Sequence, residues 1–291
     1  MDSESEPAHE KVTGEYQEIE YSVANNIAEI KLNAPEKRNR LSMVMRREMV
    51  AAFRHAGDDD SVRVILIAGA GPSFCSGYDL APSGNNAAKD AEDEGTPRDA
   101  GQFSRGCLRD WLTIWDLPKP VTAMVHGHCL AGGTELMSMC DIVFAADNAR
   151  IGYPALRTLP APHVPYLPWK LTMAQAKYLQ LTGASVTGAE AAAMGWVAKS
   201  FPPETLRQET FRHLRPLSQI PAQVLASNKQ NINEAYEFMG MRTYLRGAWQ
   251  WHALSEDMRP GEDEFNHLLR TRGVRAAVEW RDSAFQAEGL E

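Results

Sequence analysis

Twice in the first half of the chain, an apolar run of the kind that forms a buried strand passes straight into a glycine-rich turn. Residues 62–68 end at Gly69 and lead to Ser73-Phe74-Cys75-Ser76-Gly77-Tyr78-Asp79-Leu80. Residues 121–125 lead to His126-Gly127-His128-Cys129-Leu130-Ala131-Gly132-Gly133-Thr134-Glu135-Leu136. Near-continuous apolar strands belong to parallel sheets covered on both faces. Glycine lets the backbone adopt positive φ and approach a ligand closely. Turns at such strand ends present N–H groups where the sites of α/β proteins gather.

The surrounding pattern agrees. Residues 16–23 and 27–32 flank Asn25-Asn26, a hairpin signal. Ser42 caps a predicted helix to about His55, with Met45, Met49, Ala52 and Phe53 on one face. A helix follows over 103–115, stopped by Pro118 and Pro120, then a short helix over 132–139 and a strand over 142–145. After Arg150 the pattern is helical, over 174–181, 188–194, 203–214 and 221–239, with amphipathic helix from 242 to 285. The expected architecture is an α/β core with a helical C-terminal part. The first 14 residues read as a disordered tail, and 81–101, whose only aliphatic side chains are alanines, as a mobile surface loop or lid.

The chain has 291 residues, 44% of them hydrophobic, enough for a full core. A net charge of −8 argues against a general nucleic-acid binder, though a local basic patch can still hold an anionic small ligand. No signal peptide or bilayer-spanning run is apparent, so a soluble cytoplasmic protein is expected. The four cysteines have no CxxC spacing. His126 and His128 lack a third ligand at fitting spacing, and no metal is assigned. Gly69-Ala70-Gly71 lacks the lysine of a phosphate loop, and no GxSxG occurs.

The second turn suits proton chemistry beside a carbonyl. Gly132 would open a helix, with its N–H unpaired at the positive end of the dipole. Glu135 follows one turn later on the same face. An oxyanion donor and a carboxylate would then stand together, the first worth roughly 3–4 kcal/mol and the second about two to four powers of ten in rate. Taken alone, Gly-Gly-Thr-Glu is also what a turn and an exposed helix start look like. Asp79 reads equally as a cap, and Cys75 as a packed thiol.

Together these segments resemble the crotonase superfamily, the enoyl-CoA hydratase/isomerase family, from about Tyr16 to Phe285. Leu32-Asn33-Ala34-Pro35-Glu36-Lys37-Arg38-Asn39 resembles the family's early coenzyme A segment. Phe74 to Leu80 resembles its first oxyanion loop, and the segment from Lys119-Pro120-Val121 to Asp141-Ile142 its second. Leu181-Thr182-Gly183 and Ala189-Glu190 through Gly195-Trp196-Val197 also fit. The resemblance implies a spiral of ββα turns over 15–202, a helical trimerisation or lid region over 203–291, and homotrimers or homohexamers. It implies an acyl-CoA thioester as substrate and partner, with no cofactor beyond the coenzyme A that the substrate carries. Tyr78 and Gly132 would give the oxyanion amides, and Glu135 the acid/base. Lys37, Arg38, Arg40, Ser76, Gly77, Asp79, Leu80, Gly133, Pro154, Ala155 and His163 would line the substrate.

One departure stands out. Family hydratases carry a second glutamate after a proline, in the segment matching Ile151-Gly152-Tyr153-Pro154, and Ala155 occupies that place here. The stretch 156–169 is proline-rich where relatives have glycines. Arg157, His163 and Tyr166 are candidates to replace the missing acid. Phe74, Tyr78, Tyr153 and Trp169 would wall a pocket for a bulky or cyclic acyl group. The expected activity is hydratase-like. Isomerisation, another enolate reaction such as C–C hydrolysis or decarboxylation, and acyl-CoA binding without turnover are the alternatives.

Overall fold

The computed structural model describes residues 16–80, 101–159, 161–257 and 263–289. The predicted tail and nearly all of the predicted 81–101 loop lie outside these residues. The chain opens on a hairpin, β1 (Ile19–Ala24) and β2 (Ile27–Leu32), paired antiparallel from Ile19↔Leu32 to Ala24↔Ile27. Asn25 and Asn26 both take positive φ, 52° and 64°, as a two-residue turn matched to strand twist requires. Helix α1 (Met43–Asp58) starts at Ser42, whose hydroxyl accepts from the Met45 N–H at 3.0 Å. It lays Met45, Met49, Ala52 and Phe53 on the sheet.

Strands β3 (Val64–Gly69), β4 (Val121–Val125), β6 (Ile142–Ala146) and β9 (Lys199–Phe201) extend the sheet in the order β1-β2-β3-β4-β6-β9. Every pairing after the hairpin is parallel. Helices α1, α2 (Gln102–Asp116) and α3 (Gly132–Met139) lie in the crossovers from β2 to β3, β3 to β4 and β4 to β6. β4 is buried at every position, the burial its unbroken apolar run predicts.

A second, smaller sheet joins β5 (His128–Leu130), β7 (Arg150–Gly152) and β8 (Ser185–Thr187). Isolated bridges Cys75↔Cys129 and Leu41↔Tyr78 bring the chain after β3 and β2 alongside it. Each turn of the chain thus supplies a main-sheet strand, a short second extended segment and a helix, the predicted ββα spiral. Here the sequence reading needs correcting. After Arg150 it anticipates only helix, yet β7, β8 and β9 lie there, and β5 lies inside the second glycine turn. Three-residue strands are too short to carry a period-two pattern, so tertiary pairing alone makes them.

Helices α4 (Leu167–Lys170), α5 (Met173–Thr182) and α6 (Gly188–Ala193) are followed by α7 (Leu206–Leu217), α8 (Ala222–Phe238), α9 (Met241–Asp257) and α10 (Glu264–Ala287), the last kinked at Gly273. Glu29, buried in β2, is held bidentate by Arg207 of α7 at 2.8 and 3.0 Å. No helix among the described residues is long and apolar enough to cross a membrane.

Candidate active site

The two glycine turns run side by side. Phe74 N–H donates to His126 O at 2.8 Å, Cys75 N–H to His128 O at 3.0 Å, and Leu130 N–H to Cys75 O at 2.9 Å. They meet at Gly77, whose φ is +99°. A Cβ there would sit 2.8 Å from the Ala131 Cβ and 3.3 Å from the Gly132 nitrogen. Gly77 O and Asp79 N both face Leu41, so the alternation of an extended chain turns the Tyr78 N–H away from Leu41. Neither the Tyr78 nor the Gly132 N–H donates to a backbone acceptor among the described residues. Ala131, which leads into α3, is itself held at φ 48°, a costly conformation for alanine. The structure therefore brings the two predicted amide donors to one crossing.

Glu135 lies one helical turn inside α3 and is fully buried. Tyr78 donates its hydroxyl to Oε2 at 2.6 Å and Tyr153 donates to Oε1 at 3.0 Å. Trp111 of α2 donates its indole N–H to the Tyr78 oxygen at 3.1 Å, which commits the tyrosine proton to Glu135. Burial pushes the Glu135 carboxyl up to about 7. The Tyr78 and Tyr153 hydroxyls, the Val164 backbone and the Arg46 charge all pull the other way. Burial also raises both tyrosines, so they remain neutral donors. Arg46, buried and paired with Asp110 at 2.5 Å, lies 5.7 Å from the centre of the Tyr78 ring. The Tyr78 ring also covers Gly132, where a Cβ would come within 2.6 Å of it.

Ala155 is buried in a 3₁₀ turn, Pro154–Arg157. Among the described residues no other carboxylate is bonded into the Glu135 cluster. Of the three suggested replacements, His163 packs against the Tyr78 ring. Its ring centre is 5.2 Å from that of Tyr78, and Ser104 Oγ is 2.8 Å from its Nδ1. Burial, with His252 and Arg46 nearby, holds it neutral. Tyr166 is bonded to the Thr134 hydroxyl, and Arg157 is engaged by Asp282 at 2.9 Å, facing the C-terminal helix.

Several predicted contact residues have other occupations. Arg40 pairs with Asp79 at 2.7 Å and Glu18 at 3.3 Å, beside the Leu41–Tyr78 bridge. Leu80 packs into a small cluster with Phe265 and Leu268 of α10. Gly133 backs onto Cys75, leaving no room for a Cβ. Phe74 is fully buried in the core, and the Trp169 ring faces Tyr244 at 6.1 Å. Lys37 and Arg38 are exposed, and Ser76 N–H donates to Arg38 O at 3.0 Å, placing that segment against the first turn. Burial pushes the Cys75 thiol up to about 12. His126 and His128 bond to Gly71 O and Ser73 Oγ.

Sequence reasoning missed four residues that build the site. Buried Asn39 accepts from Ala34 N–H and donates to Ala70 O and Ser73 O, tying the Lys37–Arg38 segment to the first turn. Trp111, Arg46 and Asp110 act across more than 30 residues and carry no local signal. Tyr153 was expected as pocket wall, whereas it is a donor to Glu135.

The sequence profile of the enoyl-CoA hydratase/isomerase family matches residues 22–286. The chain belongs to this family. It is 32% identical to an enoyl-CoA hydratase/isomerase of Xanthobacter autotrophicus Py2 of known structure, covering 93% of this chain and 99% of that one with a TM-score of 0.83. An enoyl-CoA hydratase of Mycobacterium smegmatis superposes with a TM-score of 0.84 at 29% identity, covering 93% and 94%. The human mitochondrial enoyl-CoA hydratase domain-containing protein 3 is 27% identical over 85% of this chain and 80% of its own length.

Proposed function

We propose that the chain is an acyl-CoA-processing enzyme that forms a thioester enolate, hydratase-like in its overall reaction. The observation that carries this is Glu135, an enclosed carboxyl raised to about 7, one helical turn from an amide donor that crosses a second. In this reading the Tyr78 and Gly132 amides hold the thioester oxygen. Glu135 takes the proton from the α-carbon, and the electron pair of that C–H bond passes to the oxygen as the enolate forms. Tyr78 and Tyr153 fix the two carboxylate oxygens. Return of the proton regenerates the thioester. In hydration, Glu135 takes a proton from an ordered water as the water oxygen bonds the β-carbon, the C=C electron pair passes to the thioester oxygen as the enolate, and the same carboxyl then gives that proton to the α-carbon. The exposed Lys37 and Arg38 would meet coenzyme A phosphates, in a trimeric or hexameric assembly.

Ala155 favours a second reading, a reaction that one carboxylate completes, such as double-bond isomerisation. Both readings share the enolate. Incubation with a panel of acyl-CoAs in heavy water tests it. Deuterium should enter the α-position, about 10²- to 10⁴-fold more slowly in Glu135→Gln. Hydration of crotonyl-CoA, followed by loss of the enoyl absorbance, separates the two readings. Tight binding of acyl-CoA with no exchange for any member of the panel would make this a binding protein instead.

A further inference from the structure

Away from Glu135, helices α2 and α9 pack together and enclose an open groove of about 590 Å³. Its floor includes Leu108 and Leu112. Its rim carries Arg105 and Arg109 from α2, and Arg242 and Arg246 from α9. Each helix therefore contributes two arginines at i and i+4, a spacing at which like charges repel by a few tenths of a kcal/mol. Four guanidinium groups converge here in a chain of net charge −8.

The protein neutralises only part of this charge. Arg242 is paired with Asp116 and with Glu237, the latter at 2.8 Å. Arg105 lies 4.7 Å over the Trp249 ring. Arg109 and Arg246 are exposed, and no carboxylate among the described residues pairs with either. A volume of this size is in the range of small-ligand sites. The planar guanidinium fork matches phosphate oxygens two at a time.

We propose that the groove between α2 and α9 is an anion site for a small molecule bearing a diphosphate, held by Arg109 and Arg246 with Arg105 beside them. The leucine floor suits the apolar body of such a ligand. The site is distinct from the Lys37–Arg38 segment and does not rest on the thioester reading. A diphosphate comes either from a free nucleotide or from coenzyme A itself.

Calorimetric titration of the full chain with ADP tests the site. A single event with Kd below about 1 mM is expected, weakening as salt rises. Arg109→Gln/Arg246→Gln should weaken it at least tenfold, and each single change by an intermediate amount. Lys177→Gln, an exposed charge outside the groove, should leave it unchanged. Both arginines are exposed, and unchanged circular dichroism would verify the fold of each variant. Titration with acetyl-CoA separates the sources. Weaker acetyl-CoA binding in the double arginine variant assigns the groove to coenzyme A's own diphosphate, and unchanged binding to a separate nucleotide. No ADP binding at millimolar concentration, or binding that survives the double arginine change, overturns the proposal.

Discussion

At the scale of single residues, the proposed chemistry turns on how Glu135 is solvated. Removing a carboxylate from water favours its neutral form, and two phenol donors return part of what water supplied. Because the net result is about 7, the group is divided between both forms near neutral pH and can take and return a proton. Tyr153 is one of the groups that holds the value down. In Tyr153→Phe the carboxylate loses a donor, so its pKa rises further. The base form then appears only at higher pH. The acidic limb of the pH profile for α-proton exchange should move upward by about one unit, with activity at pH 9 far less affected than at pH 6. An unmoved limb would show that Tyr153 does not bond the working carboxylate. Leu80, Arg40 and Asp79, by contrast, take part in packing and ion pairs beside the first turn.

At the scale of elements, the site is a crossing of two turns, and Gly77 is its closest point. Positive φ and contact with Ala131 and Leu130 leave no place for a side chain. Gly77→Ala must shift the first turn, carrying the Tyr78 amide away from Gly132. Loss of that one donor should lower exchange by about 10²- to 10³-fold, and stability should fall by more than about 1 kcal/mol. Stopped assays and denaturant titration of the same variant read both. Undiminished exchange would remove the Tyr78 amide from the mechanism. Helix α2 supports the same crossing from the other side, through Trp111 and through the Arg46–Asp110 pair that joins it to α1.

At the scale of the whole molecule, the C-terminal helix is fastened to the segment that follows the site. Arg157, in the turn that contains Ala155, bonds to Thr182 O at 3.0 Å and Asp282 at 2.9 Å, and its guanidinium lies 3.6 Å from the Phe285 ring centre. Arg281 also bonds Asp282 at 2.8 Å. Burial pushes Asp282 up, but the bonds and charges of Arg281 and Arg157 outweigh it, and its carboxyl lies below the usual range. A depressed carboxylate adds stability above its unfolded value, and that contribution fades as pH falls through the lower folded value. Asp282→Ala strips a buried pair of one partner and should cost about 3 kcal/mol near neutral pH. The deficit should shrink in acid, as urea unfolding of both proteins at several pH values would record. Equal stability at pH 7 would mean that α10 is held by its apolar contacts alone.

Local chemistry determined much of this protein in advance. Asn25-Asn26 dictated a turn, Ser42 a helix start, and the unbroken apolar runs a buried parallel sheet. The glycine turns with Glu135 marked the candidate site, because close backbone approach and a carboxylate one helical turn from an amide are written in adjacent residues. Only the tertiary structure decided the rest. The three-residue strands exist through their partners, and Tyr153, Trp111, Arg46 and Asn39 acquire meaning only when distant segments meet. Burial, which sets the proton affinity of Glu135, is a property of everything packed around it and of no single stretch of chain.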